Sequence, residues 1–155
     1  MTNNQTQELF EKNLIPSRLF SDWVIAGHCS KKTFEKFIIW LNQLDEDSIC
    51  KYLKKDASIL SVITNQTKKM CNLAIMNMPG SIRYVKNQSK ELCELAVKSN
   101  GFTIGYIKEQ KVDLCLLSLE ENINSFQLVR IVPNPNYETT LKNLLEKKAI
   151  LEAIK

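Results

Sequence analysis

Three cations recur at one spacing: Lys86, Lys108 and Arg130 stand 22 residues apart. Tyr84, Tyr106 and Leu128 precede them by two residues in the same register. A row of cations beside aromatic rings has the chemistry to bind acidic side chains or a phosphate backbone, the rings offering stacking faces. Helix-packing distances would set successive cations about 10 Å apart. That is near the screening length of about 8 Å at physiological salt, so their mutual repulsion is modest. The plainer alternative makes the cations solvated ends of short helices, where positive charge complements the helix dipole. Leu128 in the third place argues for packing at the tyrosine positions. His28-Cys29 is the one adjacent base–nucleophile pair. A working pair must meet in space with a third group orienting the base, and neighbours in sequence seldom do. No catalytic residue is assigned, and a non-enzyme is expected. Cys71, Cys93 and Cys115 share the same period, which invites a metal or redox ladder. Each takes the place of a small apolar side chain, so core is the expectation. Asn100-Gly101 lacks the further glycines and the Lys-Ser/Thr of a phosphate loop. It reads as a turn in which Asn and Gly take the left-handed conformation that ends a helix.

The elements that must position these residues follow from the same period. Cys71-Asn72-Leu73-Ala74-Ile75, Cys93-Glu94-Leu95-Ala96-Val97 and Cys115-Leu116-Leu117-Ser118-Leu119 are in register at 22 residues. Eleven residues after each cysteine comes Ile82, Ile104 or Phe126. A weaker copy starts at Ile49, with Leu60, Val62 and Ile63 in the matching places. Self-similarity at a fixed period of this length is the mark of stacked repeats. Each copy predicts a long helix of about ten residues followed by a short one. Thr67 and Ser89 are placed to cap the long helices, and Asp45 or Asp47 the earlier one. Leu128-Val129-Arg130-Ile131-Val132 is β-branched enough to suggest a strand, but its register with two helical copies predicts helix.

Before the repeats, Leu9 and Phe10 mark a short helix. Pro16 opens another, carrying Leu19, Phe20, Trp23 and Val24 to Gly27. Ser30 can cap a third helix, whose stripe is Phe34, Phe37, Ile38 and Leu41, widened by Ile39 and Trp40, stopping near Leu44. After the breaker Pro133-Asn134-Pro135-Asn136, Tyr137, Leu141, Leu144, Leu145 and Leu151 give a last helix its apolar face. The expectation is one all-α domain, a short right-handed stack of 22-residue helical-hairpin repeats over 49–133. Residues 7–44 and 137–154 are its expected end caps, since a hairpin repeat cannot bury both of its sides alone.

Leu95-Ala96-Val97-Lys98-Ser99-Asn100-Gly101-Phe102-Thr103-Ile104-Gly105-Tyr106-Ile107 resembles an uncharacterised family of short helical-hairpin repeats. The family pattern is roughly A-V-K-x-N-G-x-x-L-x-Y-hydrophobic, often with an acidic residue before the long helix, a place that Asp113 suits. Such repeats are common in large DNA viruses and in amoeba-associated intracellular bacteria. The resemblance covers residues 68–132. The copy at Asn122-Ile123 lacks the glycine, and the copy at Ile49 lacks both the Ala and the Asn-Gly. The family has no established activity, so the resemblance implies architecture and origin and supplies no catalytic residues.

Composition bounds the function. The chain has 155 residues, 44% apolar and 25% charged, with net charge +4. That is ordinary for a soluble globular protein, and the mild positive balance suits an acidic partner without requiring one. Residues 1–7 have neither a charged n-region nor an apolar h-region, and no apolar run reaches a bilayer span. The five cysteines include no C-x-x-C pair and accompany a single histidine, so neither a disulfide framework nor a metal site is expected. A cytoplasmic, intracellular location without membrane attachment follows. Asn4-Gln5-Thr6, Asn65-Gln66-Thr67 and Asn87-Gln88-Ser89 match a glycosylation sequon that has no meaning there. No cofactor is expected. The expected function is a protein-interaction module with an extended surface, acting in a host cell if its origin is as the resemblance implies. The alternative is a nucleic-acid binder using Lys86, Lys108 and Arg130 with Tyr84 and Tyr106. Among the thiols, Cys71, Cys93 and Cys115 should face the core. Cys50, in the place of Asn72, Glu94 and Leu116, should lie nearer water and react early, with Cys29.

Overall fold

The computed structural model describes residues 31–130 together with Thr139, Lys142, Asn143 and Glu146. The elements expected before Lys31, the His28-Cys29 pair, the Ser30 cap, the breaker at Pro133 and most of the last helix lie outside the described residues. Thr139, Lys142, Asn143 and Glu146 are helical, within the span read as that helix. The fold is all-α, with no strand among the described residues. The chain falls into two compact units, Met1–Ala74 and Ile75–Lys155.

After the helix Lys31–Asn42, the chain repeats one arrangement: a ten-residue α-helix, one linking residue, and a six-residue 3-10 helix. The α-helices are Glu46–Lys55, Lys68–Asn77, Lys90–Ser99 and Val112–Glu121, each starting 22 residues after the last. The 3-10 helices are Ala57–Val62, Pro79–Tyr84, Gly101–Tyr106 and Ile123–Leu128, with the same spacing. Each α-helix and the 3-10 helix after it make one pair, giving four pairs among the described residues.

Within each α-helix the fourth and eighth residues turn inward, as a helix of 3.6 residues per turn requires of one face. Ile49, Cys71, Cys93 and Cys115 hold the fourth place, and Leu53, Ile75, Val97 and Leu119 the eighth, all buried. Burying each aliphatic side chain of the eighth place contributes about 1.5–3 kcal/mol. The seventh place is small from the second pair on, with Ala74, Ala96 and Ser118 fully enclosed. In the first pair it is Tyr52, whose ring meets Trp40 edge-on at 5.7 Å, with Phe37 beyond at 5.6 Å. Trp40 is thus core, as expected. Ile39, expected beside it, is 58% exposed because it falls on the outer side of the turn.

The second element of each pair, expected as a short helix, is a 3-10 helix. Ile63, Val85, Ile107 and Val129 each close on the carbonyl three residues back, with Val85 bonding Ile82 at 3.1 Å and Ile107 bonding Ile104 at 3.1 Å. Three residues per turn stack i over i+3, so each 3-10 segment has its own fully buried edge, Leu60 with Ile63, Ile82 with Val85, and Ile104 with Ile107. In the fourth pair Phe126 holds the place of Ile82 and Ile104, yet is 49% exposed, and no fifth pair follows it among the described residues. Val129 and Arg130 lie beyond the last 3-10 helix, so the helix expected through them ends at Leu128.

The link between the two elements is extended, with φ of −147° at Asp56, −162° at Asn100 and −154° at Asn122. The left-handed turn expected at Asn100-Gly101 is therefore absent. Instead, Asp56, Asn100 and Asn122 each accept a hydrogen bond on the side-chain oxygen from the N–H two residues on, at 2.9, 3.0 and 3.0 Å. Asx side chains satisfy local backbone donors in this way. Met78 has no such oxygen, and Pro79 follows it, where a missing N–H costs nothing. The glycine at Gly101 answers a different need. A Cβ there would stand 2.7 Å from the backbone carbonyl oxygen of Ser118.

In the second unit the Lys90–Ser99 helix packs on Val112–Glu121, while Pro79–Tyr84 packs on Gly101–Tyr106 and that on Ile123–Leu128. Close approach at Gly101 and Ala96 sets this packing. Gly101→Ala and Ala96→Leu should each destabilise the protein by about 1–3 kcal/mol through overpacking. Thermal or urea unfolding measures it, and a wild-type midpoint for both would remove these residues from the contact.

Candidate interaction surface

Every 3-10 helix ends in carbonyls and a loop whose N–H groups need partners. Glutamines at one repeat position supply them. Gln88 Nε2 donates to the carbonyls of Ile82 (2.9 Å) and Tyr106 (3.1 Å), and its Oε1 accepts from the Lys108 N–H at 2.8 Å. Gln110 repeats the set, donating to Ile104 (2.8 Å) and Leu128 (3.0 Å) and accepting from the Arg130 N–H at 2.6 Å. Gln66 donates to Leu60 at 2.8 Å. In the first unit Asn42, at the end of the Lys31–Asn42 helix, does the same work one pair earlier. It donates to Ile38 and Val62, both at 2.9 Å, and accepts from the Thr64 N–H at 2.7 Å. Gln88, Gln110 and Asn42 thus each join the end of one element to the backbone of the next pair.

This clamp places the expected cations and tyrosines. Lys86, Lys108 and Arg130 follow the capping residues Val85, Ile107 and Val129 by one, so they lie on the loop rather than on a helix end. All three are exposed. Two reach back to the preceding pair. Lys108 Nζ donates to the Lys86 carbonyl at 3.0 Å, and Arg130 Nη2 to the carbonyls of Ile107 (3.0 Å) and Gly105 (3.4 Å). Lys86, Asn87, Gln88, Cys93, Ile107, Lys108 and Glu109 line a shallow pocket of about 260 Å³.

Tyr84 and Tyr106 are brought together by a residue the sequence did not single out. The Arg83 guanidinium lies 4.9 Å from the Tyr84 ring centre and 5.1 Å from that of Tyr106, a cation–π arrangement to both rings. Gly105 and Gln127 hold the equivalent places in the next pairs, so no recurrence pointed to Arg83. A Cβ on Gly80 would meet Tyr106 at 3.8 Å, and one on Gly105 would meet Leu128 at 3.2 Å. Tyr106 and Leu128 therefore each rest on the 3-10 helix before their own. Tyr106 remains 45% exposed and Leu128 37%.

Cys71, Cys93 and Cys115 are buried as expected, and Cys50 is buried too, contrary to expectation. Cys50 is 6% exposed, where Asn72, Glu94 and Leu116 at the same repeat place are half-exposed. Burial raises the pKa of all four thiols, that of Cys115 to about 11. Lys69 opposes the rise at Cys50. Among the described residues no group of three or more His, Cys, Asp or Glu could hold a metal ion, and no helix is long and apolar enough to cross a membrane. On the helix side, Lys90 bonds Asp113 at 2.8 Å and lies 3.7 Å from Glu94, holding the Asp113 carboxyl below its usual range.

The chain matches no family model, no curated protein and no solved structure.

Gln110→Leu should leave the Arg130 N–H and two carbonyls without this partner and cost about 1–3 kcal/mol, water replacing part of the loss. Unchanged urea stability would mean that the amide clamp is idle. Thiol labelling of the folded protein at pH 8 should run fastest at Cys50 among the four described cysteines and slowest at Cys115, whose thiolate fraction is about one in a thousand. Cys115 labelling as fast as Cys50 would contradict the burial pattern.

Proposed function

We propose that this protein is a non-enzymatic helical-repeat module that binds another protein, its four pairs stacking as a short solenoid. The observation that carries the reading is the strip formed by Tyr84, Arg83, Tyr106 and Leu128. Tyr106 and Leu128 are part-exposed yet fixed, each against the 3-10 helix of the preceding pair, and Arg83 lies against the rings of Tyr84 and Tyr106. Rigid aromatic groups with little rotamer freedom to lose suit a binding surface. Repeat architectures present such surfaces without a cleft. The reading of a nucleic-acid binder is supported less well. A stacking platform needs an open ring face, and Arg83 occupies one at Tyr106.

A photo-reactive amino acid at position 106 should yield protein adducts in a cell lysate, and one at exposed Lys98, on the helix side, should not. Equal adducts at both positions, or adducts at 106 only with nucleic acid, would overturn the module reading.

A further inference from the structure

Charge in the second unit is divided between its two sides. The 3-10 helices and the loops after them, 79–89, 101–111 and 123–130, carry Arg83, Lys86, Lys108, Lys111 and Arg130 against one acid, Glu109. The α-helices Lys90–Ser99 and Val112–Glu121 carry Glu91, Glu94, Asp113, Glu120 and Glu121 against Lys90 and Lys98. The acidic side is partly neutralised by Lys90 between Glu94 and Asp113. None of the described carboxylates pairs with Arg83, Lys108 or Arg130. These three cations meet aromatic rings and carbonyls instead, which leave the positive charge in place.

The strip of Tyr106 and Leu128 lies on the positive side. Arg83 is against Tyr106, and Arg130 Nη2 is 3.4 Å from the carbonyl of Gly105, the residue on which Leu128 rests. Cations therefore stand at both ends of an exposed aromatic and aliphatic surface. We infer that this face takes an extended acidic segment of a partner protein, apolar side chains on Tyr106 and Leu128 and carboxylates toward Arg83 and Arg130. This rests on the reading of the chain as a protein-binding module and names the partner's chemistry. Charge complementarity selects an acid. The apolar surface between the cations selects a peptide over a phosphate backbone, which has no apolar side chain to place there.

The probe is a fluorescein-labelled peptide of about ten residues, enough to span two steps of ~10 Å in extended form, alternating Glu or Asp with Leu and Trp. A matched peptide with Lys at the acidic positions and a single-stranded oligonucleotide of like length are the comparisons, read by fluorescence anisotropy. The acidic peptide should bind at least about tenfold tighter than either, and Arg83→Gln with Arg130→Gln should weaken it about tenfold while Lys98→Gln leaves it unchanged. Circular dichroism of the double variant should match the wild type, as expected for exposed side chains; Tyr106→Ala, which keeps both arginines, provides a second variant and should also weaken binding. Equal binding of the Lys peptide, tighter binding of the oligonucleotide, or no loss in either variant would overturn the inference. Absence of any peptide binding, with protein adducts still formed at position 106, would overturn the acidic partner alone. Loss of the adducts as well would remove the module reading.

Discussion

The backbone at the end of each 3-10 helix is the constraint on which the rest depends. A six-residue 3-10 helix leaves about half of its backbone polar groups without partners inside itself, and a buried or half-buried N–H or carbonyl left alone is costly. Gln88 and Gln110 meet that need with one side chain each, tying the carbonyl of one pair to a carbonyl and an N–H of the next. Since the amide has a fixed reach, the same residue at the same place yields the same offset between pairs. Asn42 shows that the geometry matters more than the residue type. A shorter amide on a differently placed helix makes the matching contacts with Val62 and Thr64.

From this clamp follows the position of the exposed strip. The Lys108 and Arg130 N–H groups are held by glutamines, so their side chains leave the loop in one direction and meet the carbonyls of the preceding pair. Tyr106 and Leu128, two residues earlier, rest over Gly80 and Gly105, and at Gly105 the absence of a side chain makes room for Leu128. Close approach has its own requirement at Gly101, beside the Ser118 carbonyl, and at the enclosed Ala96. Packing, hydrogen bonding and the surface thus share one period.

Much of this was legible in the sequence. The 22-residue period located all four pairs, and the phase of Cys71, Cys93 and Cys115 identified the buried face. What stayed hidden has physical causes. Buried residues three apart, as at Ile104 and Ile107, fit a 3-10 edge as well as an α-turn, and hydrophobic pattern alone does not separate them over six residues. Asn100-Gly101 resembled a left-handed turn because the same two residue types serve an Asx cap and a close contact. Cys50 was misplaced because the other copies carry Asn72, Glu94 and Leu116 at that place, half-exposed residues that gave no sign that the first copy buries it. Gln66, Gln88 and Gln110 were visible in register, two of them inside apparent sequons, but a polar recurrence on a loop carries no signal of what it bonds. Arg83 had no recurrence at all, so only the structure joins it to Tyr84 and Tyr106.

Native-state hydrogen exchange of the backbone amides at Lys108 and Arg130 tests the clamp most directly. Both residues are exposed and lie outside any helix, so without the glutamines their N–H groups would exchange at the rate of an open loop. Protection is predicted at both, with that of Lys108 lost in Gln88→Leu and that of Arg130 lost in Gln110→Leu while the α-helix amides stay protected. Open-loop exchange at both positions in the wild-type protein would contradict the clamp.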